Sequence, residues 1–243
     1  LITGNTSLFG IKTEMQFGKL SVAAVVSQQE SESKTVNLQG GAQTTKFEIS
    51  ADQYDENRHF FLAHYFRDNY DNAMSKLPNI NSSVVISKVE VWVTNKSTSS
   101  SVSTAQTRNI AGFTDLAEPT EIYNSHWVNA SGKKVPQNDA NSLYREVIAI
   151  DGYRDITQVN NVLGTQLSGY GIAGGEDYVK VESARRLESS EYVLSPKLGF
   201  ISLKTALNSD EVLAVAYEYT YNGKVYQVGE FSTDGIDAPQ VLT

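Results

Sequence analysis

Few residues in this sequence are of a type that supports metal or covalent catalysis. The chain of 243 residues contains three histidines and no cysteine, which excludes thiolate catalysis, cysteine-ligated metals and disulfides. His59 and His64 lie five positions apart, whereas a zinc site of the HExxH type needs two histidines four apart on one helical face. We therefore interpret both histidines as structural.

Acidic residues are plentiful but form no recognisable catalytic motif. Pairs such as Asp52 with Asp55 and Glu188 with Glu191 fall in predicted loops or turns. The Gly40-Gly41 pair lacks the Lys-Ser/Thr or GxGxxG context of a phosphate-binding loop. We predict no enzymatic activity, metal or cofactor. Because glycosidase carboxylates need only a spatial separation, a hydrolase fragment remains an alternative.

Four aromatic residues are the candidates for contact with a partner. Trp127 lies in a long predicted connection, where an exposed tryptophan can anchor a binding partner. Tyr217 and Tyr219 share one strand face, with Tyr226 opposite them in a predicted hairpin. For both groups we favour a structural role, because tryptophan buries a large apolar area and cross-strand tyrosines stabilise sheets.

A long amphipathic hairpin over residues 9–27 is the element around which the chain is organised. A two-residue turn at positions 18–19 sets a register in which Phe17 faces Leu20 and one face of the hairpin is largely apolar. Each arm has about nine residues, a length typical of tilted transmembrane strands. The alternative is a hairpin that lies on a water-soluble core.

One long amphipathic helix is predicted over residues 55–77, where apolar side chains recur at helical spacing. Pro78 ends it, because the residue before proline is disfavoured in the α region. Two short helices are predicted over residues 139–148 and 155–163, the second ended by Gly164.

Alternating apolar residues predict strands in much of the remaining chain. Residues 84–94 form the clearest strand, with Val85, Val89, Val91 and Val93 on one face. The last third is predicted to be a β-meander whose final hairpin turns at Asn222-Gly223, so that Tyr219 faces Tyr226 and Tyr217 faces Val228. The meander strands are 178–183, 191–195, 199–203, 211–221 and 224–231.

These elements predict an α+β fold, predominantly an antiparallel sheet or meander with one long amphipathic helix and two short helices. We divide the chain into four segments. They are the hairpin at 1–34, an α+β domain at 35–163, a Gly-rich linker at 164–177, and the β-meander at 178–243, which packs on or beside that domain.

Charge and hydropathy narrow the class of protein further. The net charge of −8 argues against non-specific nucleic-acid binding and against docking on anionic lipid through basic residues. No apolar run approaches the roughly 20 residues that a membrane helix needs. The chain begins without an initiator methionine, so we interpret it as an internal piece of a longer polypeptide.

Several sequence segments together carry a family resemblance that runs nearly end to end. The segments are 9–20 (FGIKTEMQFGKL), 39–45 (QGGAQTT), 52–68 (DQYDENRHFFLAHYFRD), 89–95 (VEVWVTN), 107–110 (TRNI), 198–203 (LGFISL) and 208–231 (NSDEVLAVAYEYTYNGKVYQVGEF). On these segments the chain resembles the SprA/Sov family, giant cell-surface proteins of gliding motility and type IX secretion in Bacteroidota. Since those proteins are far longer, the resemblance makes this chain a small internal piece.

The resemblance implies a part of an outer-membrane translocon. Such a translocon is a very large β-barrel that passes folded cargo to the cell surface, together with a PorV-like partner barrel and a plug protein. It implies no catalytic residue. With a tight turn at positions 18–19, residues from about 35 to 231 are expected to form an extracellular insertion that caps the pore, gates it or docks partners. The periplasmic side is the alternative location.

A second hypothesis comes from another functional class. A surface adhesin or glycan-binding module would use Trp127 or the face of Tyr217 and Tyr219 as an exposed aromatic platform. The three hypotheses differ in what they require: a glycan binder needs that platform, a hydrolase needs two facing carboxylates with a raised pKa, and a translocon part needs partner-facing surfaces.

Overall fold

A computed structural model describes residues 7–17, 20–30, 50, 54–96, 106–120, 122–128 and 132–243. The sequence-based assignments at Gly40-Gly41, at Asp52 and at the turn of positions 18–19 lie outside the described residues. The chain divides into two units, Leu1–Ser50 and Ala51–Thr243.

The first unit contains the hairpin. Strands β1 (Ser7–Phe17) and β2 (Leu20–Glu30) pair antiparallel. Phe17 lies opposite Leu20 and Met15 opposite Val22, so the predicted register is confirmed. The register is predictable because a two-residue turn leaves only one in-phase pairing for the alternating apolar residues.

The second unit contains nine further strands and four α-helices among its described residues. The strands are β3 (His59–Phe61), β4 (Val84–Val93), β5 (Thr107–Phe113), β6 (Tyr178–Arg186), β7 (Tyr192–Ser195), β8 (Phe200–Leu203), β9 (Leu213–Tyr221), β10 (Lys224–Val228) and β11 (Val241–Leu242). The helices are α1 (His64–Asp68), α2 (Tyr70–Met74), α3 (Leu143–Ile148) and α4 (Val159–Gln166). The α+β class with mostly antiparallel strands is therefore confirmed.

The prediction of one long helix over residues 55–77 is wrong. Its first part is β3, which pairs with β8 so that Phe61 lies opposite Phe200. The rest is two short helices separated by Asn69, whose backbone (φ −95°, ψ 1°) leaves the helical region and whose amide Nδ2 donates to the Tyr65 carbonyl. Pairing with a distant strand thus overrides a helical spacing of apolar residues.

The strands form a six-stranded sheet and a small three-stranded sheet. Their orders are β10-β9-β4-β6-β5-β11 and β3-β8-β7. Among the strands that the structure describes, only β11 runs parallel to its neighbour, β5. The predicted meander therefore exists as individual strands, but β7 and β8 leave it for the small sheet. In the last hairpin Tyr219 lies opposite Tyr226 and Tyr217 opposite Val228, as predicted.

A bulge in β4 changes which side chains face the core. The pairing of β4 with β9 shifts between Ile86 and Lys88. Val85 is consequently exposed while Ile86 and Val91 are buried, although the plain alternation placed Val85 and Val91 on one face. An extra residue in a strand reverses the inside–outside phase from that point onward.

The six-stranded sheet has few pairings between its two central strands, β4 and β6, and a hydrogen bond connects the chain segments at its two outer edges. Strand β4 pairs with β6 only at Trp92–Arg186 and Val93–Arg185. Beyond β10, the Glu230 N–H donates to the Thr243 carbonyl at 2.8 Å, which brings the chain after β10 to the end of β11. The two outer edges of the sheet therefore approach each other.

Helices α3 and α4 cover part of the large sheet. Leu143 and Val147 of α3 and Leu163 of α4 share an apolar cluster with Ala111 of β5 and Tyr178 of β6. Contrary to the prediction, α4 continues past Gly164 to Gln166.

The Gly-rich segment 164–177 lies within the second unit. It begins inside α4 and continues into the 3-10 helix Ser168–Tyr170. Strand β6 follows this segment and pairs with β5, which precedes it, so the segment does not separate two sheets.

Candidate functional site

The structure buries three of the four aromatic residues proposed for partner contact. Trp127, Tyr217 and Tyr219 have 1%, 1% and 0% of their surface exposed, whereas Tyr226 is half-buried. The aromatic platform that a glycan-binding module would use is therefore covered in this structure.

Tyr217 and Tyr219 belong to an aromatic cluster that joins the large sheet to α1. The ring of Phe66 meets both tyrosines edge-on at centroid distances of 5.9 and 6.0 Å. Tyr219 stacks on Tyr226 at 5.5 Å and donates its hydroxyl hydrogen to the Pro136 carbonyl. Burial raises the pKa of both buried tyrosines, so they are neutral at physiological pH.

Trp127 lies in the core beneath a small polar cluster. His126 stacks on Tyr170 with ring centroids 3.4 Å apart, and its Nε2 lies 3.1 Å from a carboxylate oxygen of Glu146. Trp127 itself packs with Tyr178 and the α3 and α4 residues. Its position is explained by packing, which is the role that we favoured for it.

Of the predicted carboxylate pair, Glu191 forms an ion pair with Arg185, and Glu188 contacts Glu191 through its backbone N–H. Both Glu191 oxygens accept from Arg185 Nη1, at 3.0 and 2.8 Å, and one also accepts from the Glu188 N–H at 2.7 Å. The hydrogen bonds from Arg185 lower the pKa of Glu191. A general acid needs a raised pKa, so this carboxylate does not fit the hydrolase hypothesis.

Glu230 is a buried charge that accepts hydrogen bonds from three residues, and sequence reasoning missed it. Arg154 donates to its two oxygens at 2.6 Å each, and the Tyr144 hydroxyl and the Thr243 N–H add bonds of 2.9 and 2.8 Å. Arg154 Nη1 also donates to the Val241 carbonyl at 2.7 Å. This cluster fastens β11 to the chain after β10. The role of this cluster is structural, and no local sequence motif predicts it.

An aromatic patch lies on the small sheet. Its rings are Phe61, Tyr70 and Phe200, with centroids 5.6 to 6.4 Å apart, and Phe61 is 39% exposed. They line a groove of about 580 Å³ together with His59, Phe60 and Ser202. Exposed clusters of aromatic rings are typical of contact surfaces. The patch was not predicted from the sequence, because its residues were assigned to a helix and to a separate meander.

A cavity of about 330 Å³ is lined by residues from both halves of the large sheet. It is lined mostly by apolar residues of β5, β6 and β9, and also by Trp92 and Tyr217. The Trp92 Nε1–H and the Tyr217 hydroxyl are buried without a hydrogen-bond partner among the residues that the structure describes.

Neither a metal centre nor a spanning helix is found in the described part of the chain. No group of three or more His, Cys, Asp or Glu residues there is placed to hold a metal ion. No helix in the same residues has the length and apolar character to cross a bilayer.

Comparison with known proteins identifies the family. A model named SprA_N, with the description motility related/secretion protein, matches residues 3–222. The chain belongs to the SprA_N family. The match covers the hairpin, the aromatic patch and the strands up to the final turn, and the earlier resemblance is thereby confirmed. No curated protein matches the sequence significantly. The SprA_N assignment makes this a motility- or secretion-related protein.

Proposed function

We propose that this chain is a non-enzymatic, extracellular-facing part of an outer-membrane translocon for type IX secretion and gliding motility. It acts in pore capping, gating or partner docking, beside a PorV-like partner, a plug protein and secreted cargo. The observation that carries the proposal is the SprA_N match over residues 3–222. The eleven-residue strands β1 and β2 add support, because that length suits membrane strands in the parent protein.

Of these three roles, docking has support from the surface of the second unit. The aromatic patch of Phe61, Tyr70 and Phe200 offers an apolar groove on a small sheet whose outer strand β3 has an open edge. A protein partner that places apolar side chains in this groove would gain the burial energy of the rings.

Sidedness is tested by labelling a cysteine introduced into the full-length parent. Tyr123 is 88% exposed, so Tyr123→Cys should react with a membrane-impermeant maleimide on intact cells. The matched control is Leu163→Cys, a fully buried position that should react only after denaturation. The parent without either substitution gives the background. Labelling of Tyr123→Cys only in permeabilised cells would place the segment in the periplasm instead.

Docking is tested by pull-down of the full-length parent from envelope extract. Phe61→Ser should reduce recovery of the PorV-like partner or of secreted cargo. Val193→Ser, which changes a residue of β7 that is 59% exposed and outside the patch, should not. Equal recovery with both variants argues against docking at the patch. Recovery of neither partner nor cargo with the unaltered parent argues against a translocon role.

A further inference from the structure

Alternate residues of β3 form the backbone hydrogen bonds to β8. The Leu203 N–H donates to the Arg58 carbonyl at 2.8 Å, and the Leu62 N–H donates to the Gly199 carbonyl at 2.9 Å. Antiparallel strands bond through every second residue. Phe60, which lies midway between these two bonds, therefore also directs its N–H and C=O groups toward β8.

His59 and Phe61 direct their backbone groups away from β8, to the open edge of the small sheet. Their N–H and C=O groups have no hydrogen-bond partner among the residues that the structure describes. The two residues lie roughly 7 Å apart along the strand, which is the repeat at which a neighbouring strand exchanges hydrogen bonds. Such an edge can accept a further strand through up to four hydrogen bonds.

The side chains of the same two residues line the groove of the aromatic patch. Phe61 lies opposite Phe200, with ring centroids 5.9 Å apart, and His59 lies opposite Ser202, with its Nδ1 2.8 Å from the serine Oγ. Cross-strand pairs share one face of a sheet. A strand added beside β3 would therefore place every second side chain over this groove.

The outer strand of the large sheet, β10, offers a poorer edge. Its Gln227 carbonyl accepts from the Asn138 N–H at 3.0 Å, and the Gly229 N–H just beyond it donates to the Asn138 Oδ1 at 2.8 Å. The chain at Asn138 thus occupies part of the β10 edge. At β3 no described residue does so.

The length of β3 favours a segment of another protein over a second copy of this chain. Its three residues span about 10 Å. A stable protein–protein interface buries about 800 Å² on each partner, far more than two copies would bury through β3 alone. A short extended segment needs only the edge and the groove.

We infer that β3 takes up an extended segment of a partner protein as a fourth strand of the small sheet, with an apolar side chain of that segment packed beside Phe61 in the groove. This strand addition rests on the docking role proposed above and specifies the form of the docked segment. Backbone hydrogen bonds hold the segment, and the groove selects apolar residues at alternate positions.

The probe is the synthetic peptide acetyl-Lys-Val-Thr-Phe-Thr-Val-Lys-amide, which alternates apolar and polar residues between solubilising lysines. It is added to the whole chain labelled with ¹⁵N. Saturable binding should move the backbone N–H signals of His59 and Phe61 downfield and slow their exchange with solvent. The Phe60 N–H, which already bonds to β8, should change little.

Backbone N-methylation of the peptide tests the strand geometry directly. One analogue carries N-methyl groups on its Val and Phe residues, and the other carries them on its two Thr residues. Because an added strand faces β3 with alternate N–H groups, one analogue should bind at least about tenfold more weakly than the unmethylated peptide. The other should keep its affinity within about threefold.

Variants of the chain provide a second measurement. Phe61→Ser removes a ring from the groove and should raise the Kd of the peptide about tenfold. The matched control is Val225→Ser, which changes a residue of β10 that is 63% exposed, and it should bind the peptide as the unaltered chain does.

Four results would overturn the strand addition. They are absence of saturable binding, equal effects of the two N-methylated analogues, a shift at Phe60 as large as those at His59 and Phe61, and unchanged affinity in the folded Phe61→Ser variant. A dimer of the chain alone that produces the same shifts would overturn it too, because a second copy would then supply the strand.

Docking itself fails or stands by the pull-down from envelope extract. If Phe61→Ser lowers partner recovery there while the peptide leaves the amide signals of His59 and Phe61 unmoved, the strand addition is overturned and docking through the rings stands.

Discussion

The Glu230 cluster permits a quantitative test of how the last strand is held. In Arg154→Met, the carboxylate of Glu230, only 4% exposed, keeps its bonds from Tyr144 and Thr243 but loses its counter-charge. Removing one partner of a buried ion pair typically costs about 3–5 kcal/mol. Because the Arg154 side chain is 29% exposed, we expect the lower end, about 3 kcal/mol. Equilibrium urea unfolding followed by circular dichroism measures the loss.

A double variant and an exposed pair serve as the controls. The double variant Arg154→Met/Glu230→Met removes both charges. Its loss in the free energy of unfolding should be well below the summed losses of the two single variants. Arg185→Met breaks the pair with Glu191, in which both side chains are about one-third exposed, and should cost under about 1 kcal/mol. The reasoning is refuted if Arg154→Met costs no more than Arg185→Met, or if the double variant is as unstable as the summed singles.

Three further predictions concern other contacts in the second unit. Gly199→Ala should cost about 3 kcal/mol, because φ is +66° and the added Cβ would overlap the ring of Phe66. Gly171→Ala, at φ +73° with open space, should cost only about 1 kcal/mol in the same unfolding assay, and equal losses would contradict the overlap. Tyr219→Phe should lower the free energy of unfolding by about 1 kcal/mol, because it removes the hydrogen bond to the Pro136 carbonyl. Tyr217→Phe should leave that free energy unchanged, because the Tyr217 hydroxyl has no hydrogen-bond partner among the described residues. The reverse order would be inconsistent with the assigned hydrogen bonds. Hydrogen bonds from Arg185 lower the pKa of Glu191 in the folded state. The ionised carboxylate therefore stabilises the fold at a pH above its unfolded-state pKa, and this stabilisation is lost as the pH falls through the folded-state pKa. Unfolding curves between about pH 5 and pH 3 should therefore show a smaller acid-induced loss for Glu191→Gln than for the unaltered chain, and identical losses would disprove the assignment.

Local rules predicted the hairpins of this protein well. The pairing of β1 with β2 and the hairpin that turns at Asn222-Gly223 both have the predicted registers, because each register was inferred from the short spacing between its two strands. The same local rules failed in β4, where the shift between Ile86 and Lys88 depends on pairing with a strand more than a hundred residues away. No alternation pattern contains that information.

Long-range pairing also explains the helix that was predicted wrongly and the site that was missed. Residues 59–61 have helical spacing but pair with β8, and Phe61 thereby reaches Phe200 to form the aromatic patch. For Tyr217 and Tyr219, periodicity correctly placed both on one face. It did not show that Phe66 covers that face. Which side of a strand is covered is decided by the packing of other elements, not by the strand itself.

The parallel pairing of Val241 with Asn109 has a consequence for biosynthesis. The sheet cannot be completed until the chain has been made as far as Thr243, whose carbonyl accepts from the Glu230 N–H. Contacts this distant along the chain slow folding, because a long loop must close before they form. Residues 107–240 are therefore synthesised while β5 still lacks this neighbour. An unpaired strand edge can pair with another chain, so β5 is a site of unwanted association until its last strand arrives.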